Sequence, residues 1–216
     1  MNFLNYNIPK IERHDSPSGR RYKTPEGNFY PSVTTIVGSI GDKTYIEEWR
    51  EKVGAEFADK YTKESADRGT LIHQCCEDYL LGKKPKFDMF QRTESDMFNH
   101  LLPILDSIEE VHAMETTLWS DKLKCAGTVD LIAKHHGELK VIDWKNSRRY
   151  KDKEDIPGYF AQMAAYSAMF WERTNIPIRK IMVAITVEDY GLLTYEEDVR
   201  NHLSVFINAR KQYGDL

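Results

Sequence analysis

Asp143 and Lys145 lie two residues apart in Val141-Ile142-Asp143-Trp144-Lys145-Asn146, so a strand there presents a carboxylate and an ammonium on one face. The segment Gly127-Thr128-Val129-Asp130 is joined to it through His135-His136-Gly137-Glu138, whose central His-Gly suits a two-residue hairpin loop. Counted outward from His135 opposite Glu138, such a loop sets Asp130 opposite Asp143 at a non-hydrogen-bonded position, with Cα atoms about 4.5 Å apart. Two carboxylates so placed destabilise a sheet unless a cation offsets both. A divalent metal is the simplest such cation, and oxygen ligation with retained waters suits Mg²⁺ or Mn²⁺ rather than zinc. Lys145, on the same face, could stabilise developing negative charge, and the trio reads as metal-assisted hydrolysis of a phosphodiester. Asp-x-Lys by itself is common on solvated strand edges, so the weight falls on what accompanies it.

The elements that must position these residues follow from periodicity. After a loop- and strand-like stretch over residues 1–40, Ile46, Trp49, Val53, Phe57 and Tyr61 recur at helical spacing from Asp42 onward. A second helical run carries Leu71, Ile72, Cys75, Tyr79 and Leu80 up to Gly82, and a third passes through Phe98, Leu101, Leu102 and Leu105. Three β-rich segments at about 114–120, 125–134 and 139–144 predict a meander. A helix over 155–173, a strongly apolar strand over 181–187, a further strand over 192–195 and an amphipathic helix over 199–213 complete the chain. The reading is a single α/β domain, mainly helical over 1–112 and sheet-containing over 113–216.

Four short motifs stand in one order: Arg68-Gly69-Thr70-Leu71-Ile72-His73, Gly127 to Asp130, Ile142 to Lys145, and Gln162-Met163-Ala164-Ala165-Tyr166. Together with Tyr30-Pro31-Ser32-Val33-Thr34 they resemble the RecB-type branch of the PD-(D/E)XK nuclease superfamily, in particular its compact single-strand DNA exonucleases of mitochondrial and phage type. The resemblance implies a restriction-endonuclease-like core, a central mixed β-sheet with a three-stranded meander flanked by helices, carrying a helical N-terminal elaboration. It implies His73, Asp130, Asp143 and the backbone carbonyl of Trp144 as ligands of one or two Mg²⁺ or Mn²⁺ ions, with Glu115 a further candidate, directly or through water. Lys145 would be the catalytic lysine, and Gln162 and Tyr166, one helical turn apart, would reach the lysine or the DNA backbone. The helices over 42–82 would form an arch admitting a single-stranded end. Val129 stands where the superfamily's name has Pro, and the second motif has Asp143 rather than Glu; both departures are usual in this branch.

Composition bounds the alternatives. The chain has 216 residues, 30 basic against 34 acidic, for a net charge of −4, which argues against general coating of nucleic acid and for local contact. Candidate DNA contacts are Arg20, Arg21 and Tyr30 in a basic and aromatic patch, Ser32, Thr34 and Arg68, and then Asn146, Ser147, Arg148 and Arg149 in a basic stretch running from Lys140 to Lys153. Three cysteines, two of them adjacent, exclude a four-thiolate iron–sulfur cluster and with it the CRISPR-adaptation type of nuclease. No apolar run is long enough for a membrane span, and residues 1–15 show neither a signal peptide nor a transit pattern, so the expected location is the cytoplasm of a bacterium or phage-infected cell. The expected partner is DNA, single-stranded or with ends, alongside replication or recombination proteins. Competing readings are a non-catalytic nucleic-acid-binding or assembly subunit, a structure-specific endonuclease, and a hydrolase of non-nucleic phosphate esters.

Overall fold

A computed structural model describes residues 1–17, 19–39 and 44–214. In chain order it contains β1 (Asn2–Phe3), β2 (Glu12–Ser16), β3 (Gly19–Lys23), β4 (Phe29–Pro31), α1 (Val33–Ser39), α2 (Thr44–Val53), α3 (Ala55–Leu80), α4 (Arg92–Asp106), β5 (Ile108–Ser120), β6 (Cys125–His135), β7 (Glu138–Ser147), α5 (Pro157–Thr174), β8 (Lys180–Val187), β9 (Gly191–Asp198) and α6 (Val199–Tyr213). Six strands form a mixed sheet in the order β1-β5-β6-β7-β8-β9, and β2-β3-β4 form a second, antiparallel sheet.

The antiparallel meander β5-β6-β7 is the predicted one, and α5 crosses over from β7 to its parallel neighbour β8. Alternation along the strands sends side chains to two cores. One buries Val141, Ile181, Val183 and Ile185 against α1, α5 and α6; the other buries Ile142, Trp144, Met182 and Ala184 against α3 and α4. Helix α5 starts with Pro157 in its first turn, where the missing N–H costs nothing, and ends on Asn175 in the left-handed region. Its residues from Phe160 to Ser167 are all buried, which fixes it rigidly over the sheet. Among the described residues no helix is long and apolar enough to cross a membrane.

One feature differs from the sequence reading, and one lies beyond test. The predicted helix start at Asp42 lies outside the described residues. The apolar spacing from Ile46 to Tyr61 spans two helices, because Gly54 takes φ 86° between α2 and α3. Residues 1–112 carry α1 to α4, and the strand-like stretch before them holds the second sheet. That second sheet covers a small core of Ile11, Tyr22, Trp119 and Ala126, and a Ser32–Ala126 bridge and the Tyr22 hydroxyl, 3.2 Å from Thr128 Oγ1, tie it to β6.

Candidate active site

His136 and Gly137 both have positive φ, 52° and 78°, as a two-residue hairpin of the type I′ class requires. The register is the expected one, from His135 opposite Glu138 to Leu131 opposite Ile142. There the β6–β7 ladder stops, one step short of Asp130 and Asp143. Beyond it β7 stays paired with β8 out to Ser147, and β6 with β5 out to Cys125. The two middle strands therefore part at the two aspartates.

The parting frees backbone groups that site side chains take up. Trp144 N–H donates to Asp130 Oδ2 at 3.0 Å, and the Trp144 carbonyl lies 2.9 Å from His73 Nε2, which reaches it from α3. On the other side of β6 the ladder skips Glu115 between Met114 and Thr116, and Glu115 has φ 44° inside a strand. A non-glycine residue in that region costs on the order of 1–3 kcal/mol, a cost concentrated at functional sites. The kink brings Glu115 Oε1 to 3.8 Å and Asp130 Oδ2 to 3.6 Å from His73 Nδ1. One ligand atom each from His73, Glu115 and Asp130 lies within 4.8 Å of the others, a donor set that can hold a metal. Burial opposes charge on His73, yet Asp130 and Glu115 raise its pKa to about 9.

Asp143 and Lys145 share the face of β7 turned to α5, as the strand period demands, and form an ion pair. The second Asp143 oxygen accepts from Gln162 Nε2 at 3.0 Å, so both oxygens of this buried carboxylate have cationic or amide partners within the protein. Burial, with help from Asp130, pushes the Asp143 pKa up, while Lys145 and His73 hold it down. Lys145 Nζ also sits 5.1 Å from the centroid of Tyr159. Tyr166, one turn after Gln162, is buried against Gly127, where a Cβ would lie 2.9 Å from its ring. A Cβ on Gly69 would lie 2.9 Å from Asn146 Oδ1, so the motif glycine on α3 admits this side chain, which also reaches the Ser65 carbonyl at 3.4 Å.

Most of the site residues line a cleft of about 580 Å³ between α3 and the second sheet. Its walls include His73, Glu115, Asp130, Lys145, Asn146, Gln162 and Tyr166, together with Arg20, Ser32 and Thr34 at the other side. Gln162 reaches Asp143 rather than the lysine. The remaining candidates are arranged differently. Arg68 is tied to Glu94 at 3.3 Å and Glu188 at 2.7 Å, and Arg148 to Glu64 at 2.9 Å while it stacks on Tyr61 at 4.0 Å. Arg21 alternates to the face of β3 opposite Arg20 and is absent from the cleft lining. Ser147 turns back on the backbone of Arg149, itself exposed, and the Tyr30 hydroxyl donates to Asp121 at 3.1 Å. Arg13 and Thr128 line the cleft and were not among the sequence candidates, whereas Tyr22, which also lines it, belongs to the basic and aromatic patch. The period-2 alternation of Arg13 with Asp15 was the available signal.

Mitochondrial genome maintenance exonuclease 1 of Homo sapiens is 27% identical over 183 residues, covering 76% of this chain and 52% of that one. Its Xenopus tropicalis counterpart is 29% identical over 151 residues, covering 63% and 42%. The chain thus spans about half the length of the curated relatives it matches. Among solved structures, SSO0001 aligns with a TM-score of 0.43 and 16% identity over 85% of this chain and 76% of that one. The sequence profile of the PD-(D/E)XK nuclease superfamily matches residues 81–204, a stretch that takes in β5 to β9 with Asp130, Asp143, Lys145, Gln162 and Tyr166, and the chain belongs to that superfamily.

Proposed function

We propose that the chain is a DNA exonuclease dependent on Mg²⁺ or Mn²⁺ that prefers single strands or free ends. The observation that carries this is the convergence of His73, Glu115 and Asp130 on one point of a cleft that Lys145 also lines. Two carboxylates, one imidazole and a neighbouring carbonyl form a mostly oxygen donor set, which fits a hard divalent ion, and Glu115 is held in a strained backbone conformation that points its carboxylate to the others. His73, Asp130 and Glu115 would hold the ion, with Asp143 and the Trp144 carbonyl beside them. A bound ion supplies Lewis acidity and lowers the pKa of water at the scissile phosphate.

The chain's own groups do the rest. Gln162 and Lys145 together fix the Asp143 carboxylate, and Asp143 in turn keeps the Lys145 ammonium aimed along the strand face. Asp143 and Asp130 hold the proton on Lys145 Nζ against burial, so a positive hydrogen-bond donor is available where negative charge develops. Burial pushes the Tyr166 hydroxyl pKa up from its ordinary value. Along α3 from His73, Gly69 and Ser65 lead to Tyr61, which packs with Trp49 at 5.4 Å and Phe57 at 6.1 Å between centroids. Half-exposed aromatics continuing from the cleft support stacking of unpaired bases. The exonuclease named among the relatives supports end-directed cleavage.

The test compares labelled single-stranded DNA, duplex DNA and a small phosphodiester, each with and without Mg²⁺ or Mn²⁺. We expect metal-dependent shortening of the single strand from an end and loss of it in Asp143→Ala. Indistinguishable behaviour of wild type and Asp143→Ala on all three substrates refutes the enzymatic reading.

A further inference from the structure

The wall of the cleft facing α3 carries two arginines organised by one acid. Arg13 and Asp15 are two apart on β2, and Arg20 and Tyr22 are their cross-strand partners on β3, so all four project from the same face of the small sheet. Asp15 Oδ2 accepts from Arg13 Nε at 2.9 Å, and Asp15 Oδ1 accepts from Arg20 Nε at 3.1 Å. Both bonds use Nε, which leaves the forked Nη end of each guanidinium in the geometry that matches a phosphate bidentately. Among the described residues neither arginine has a second carboxylate partner, and both line the cleft. This contrasts with Arg68 and Arg148, each of which is engaged by two glutamates.

The position suits a phosphate close to the reacting one. Tyr22, opposite Arg13, is buried, and its hydroxyl meets Thr128 on β6. Thr128 precedes Asp130 by two residues, about 7 Å along a strand. The arginine-bearing face is therefore anchored to the same strand that supplies a carboxylate to the candidate metal cluster. The other charges in the cleft are Lys145, His73, Glu77, Glu115 and Asp130, so the arginines make its far wall the cationic one.

We propose that Arg13 and Arg20 form a two-pronged clamp for the nucleic-acid phosphates flanking the scissile bond, and that Asp15 is the positioning residue that holds both prongs in register. The proposal rests on the nuclease reading above. Asp15 could instead be a plain counterion, and the two roles predict opposite signs. Removing a counterion from two cations tightens polyanion binding; removing the group that aligns two forks weakens it.

The experiment uses the full chain. Steady-state cleavage of a labelled single-stranded oligonucleotide in Mg²⁺ or Mn²⁺ gives KM and kcat, and anisotropy of the same oligonucleotide in EDTA gives affinity against salt. For Arg13→Ala and Arg20→Ala we expect KM to rise about tenfold each, with the change in KM larger than that in kcat, since each removes a charge-assisted contact. The double variant should flatten the slope of log affinity against log salt by about 1.4, two single-strand phosphate contacts. Asp15→Ala should also raise KM, with the slope kept because both cations remain. Thermal unfolding of each variant identifies any loss of fold. Cleavage by wild type with KM and slope unchanged in the double variant overturns the clamp and leaves the nuclease reading standing. Tighter binding by Asp15→Ala overturns the positioning role. Absence of binding and cleavage by wild type overturns both readings.

Discussion

Gly127 opens the Gly-x-x-Asp motif, and the structure gives its glycine a steric reason that a single substitution can test. A Cβ built there would lie 2.9 Å from Tyr166 Cε1, closer than real Cβ atoms approach, and 3.0 Å from the Tyr166 hydroxyl, a tight contact. Tyr166 cannot swing away, because it sits in the fully buried stretch of α5. Overpacking a well-filled site costs about 1–3 kcal/mol. Alanine recovers about 0.4–1 kcal/mol by restricting the unfolded chain, leaving a net loss of roughly 1–2 kcal/mol for Gly127→Ala. At this chain length that lowers Tm by roughly 3–6 °C. Tyr166→Leu removes the obstructing ring edge and hydroxyl, so the double variant Gly127→Ala/Tyr166→Leu should be more stable than the two single losses add up to. Urea unfolding of the four proteins gives the coupling directly, and the expected value is at least about 0.5 kcal/mol. A Gly127→Ala protein as stable as wild type, with no coupling to Tyr166, refutes the steric account of the motif glycine.

Further expectations follow from the site and its surroundings. Lys145→Ala should lower kcat by at least about 100-fold while leaving single-strand affinity in EDTA within a few-fold, measured by single-turnover cleavage and anisotropy. Gln162→Leu leaves one oxygen of a buried carboxylate without its donor, and urea unfolding should register a loss of about 1–3 kcal/mol together with reduced kcat. Glu197 is ion-paired with Lys153 and hydrogen-bonded by Asn201, which together hold its pKa down at about 2 against an ordinary 4.5. A depressed carboxylate contributes stability above the unfolded value and loses it as pH falls towards the folded one, so wild type should lose its advantage over Glu197→Gln between about pH 4.5 and 2. Denaturation midpoints for the pair across that range check the sign.

Much of the centre was legible because it depends on local rules. The His136-Gly137 turn fixes a register, and the register fixes which residues face each other as far as Leu131 and Ile142. What lay beyond needed information carried by distant residues. Glu115 enters the cluster through a backbone kink that no spacing announces, and the donor set nearest His73 is Glu115 with Asp130, while Asp143 turns to Lys145 and Gln162. The basic stretch from Lys140 to Lys153 dissolves in three dimensions, since Lys140 is buried on Glu196, Arg148 pairs with Glu64 and Glu188, and Lys153 pairs with Glu197. Each of those partners is at least forty residues away, so charge density along the chain overstated the charge available to a ligand. The second sheet was read only as a loop- and strand-like stretch, because its strands are short and carry polar side chains on both faces.

That second sheet has a mechanical consequence. Among the described residues its joint with the main sheet is an isolated bridge, the hydroxyl contacts of Tyr22 and Tyr30 and a core of a few side chains, whereas the opposite wall is the 26-residue helix α3 packed on a large core. The two jaws therefore differ in stiffness, and aperture is set at the weaker one. Loosening Tyr22 or Ala126 should widen the mouth without touching His73, Glu115, Asp130 or Lys145, so under the proposed function the gauge of strand admitted would be tuned separately from bond breaking.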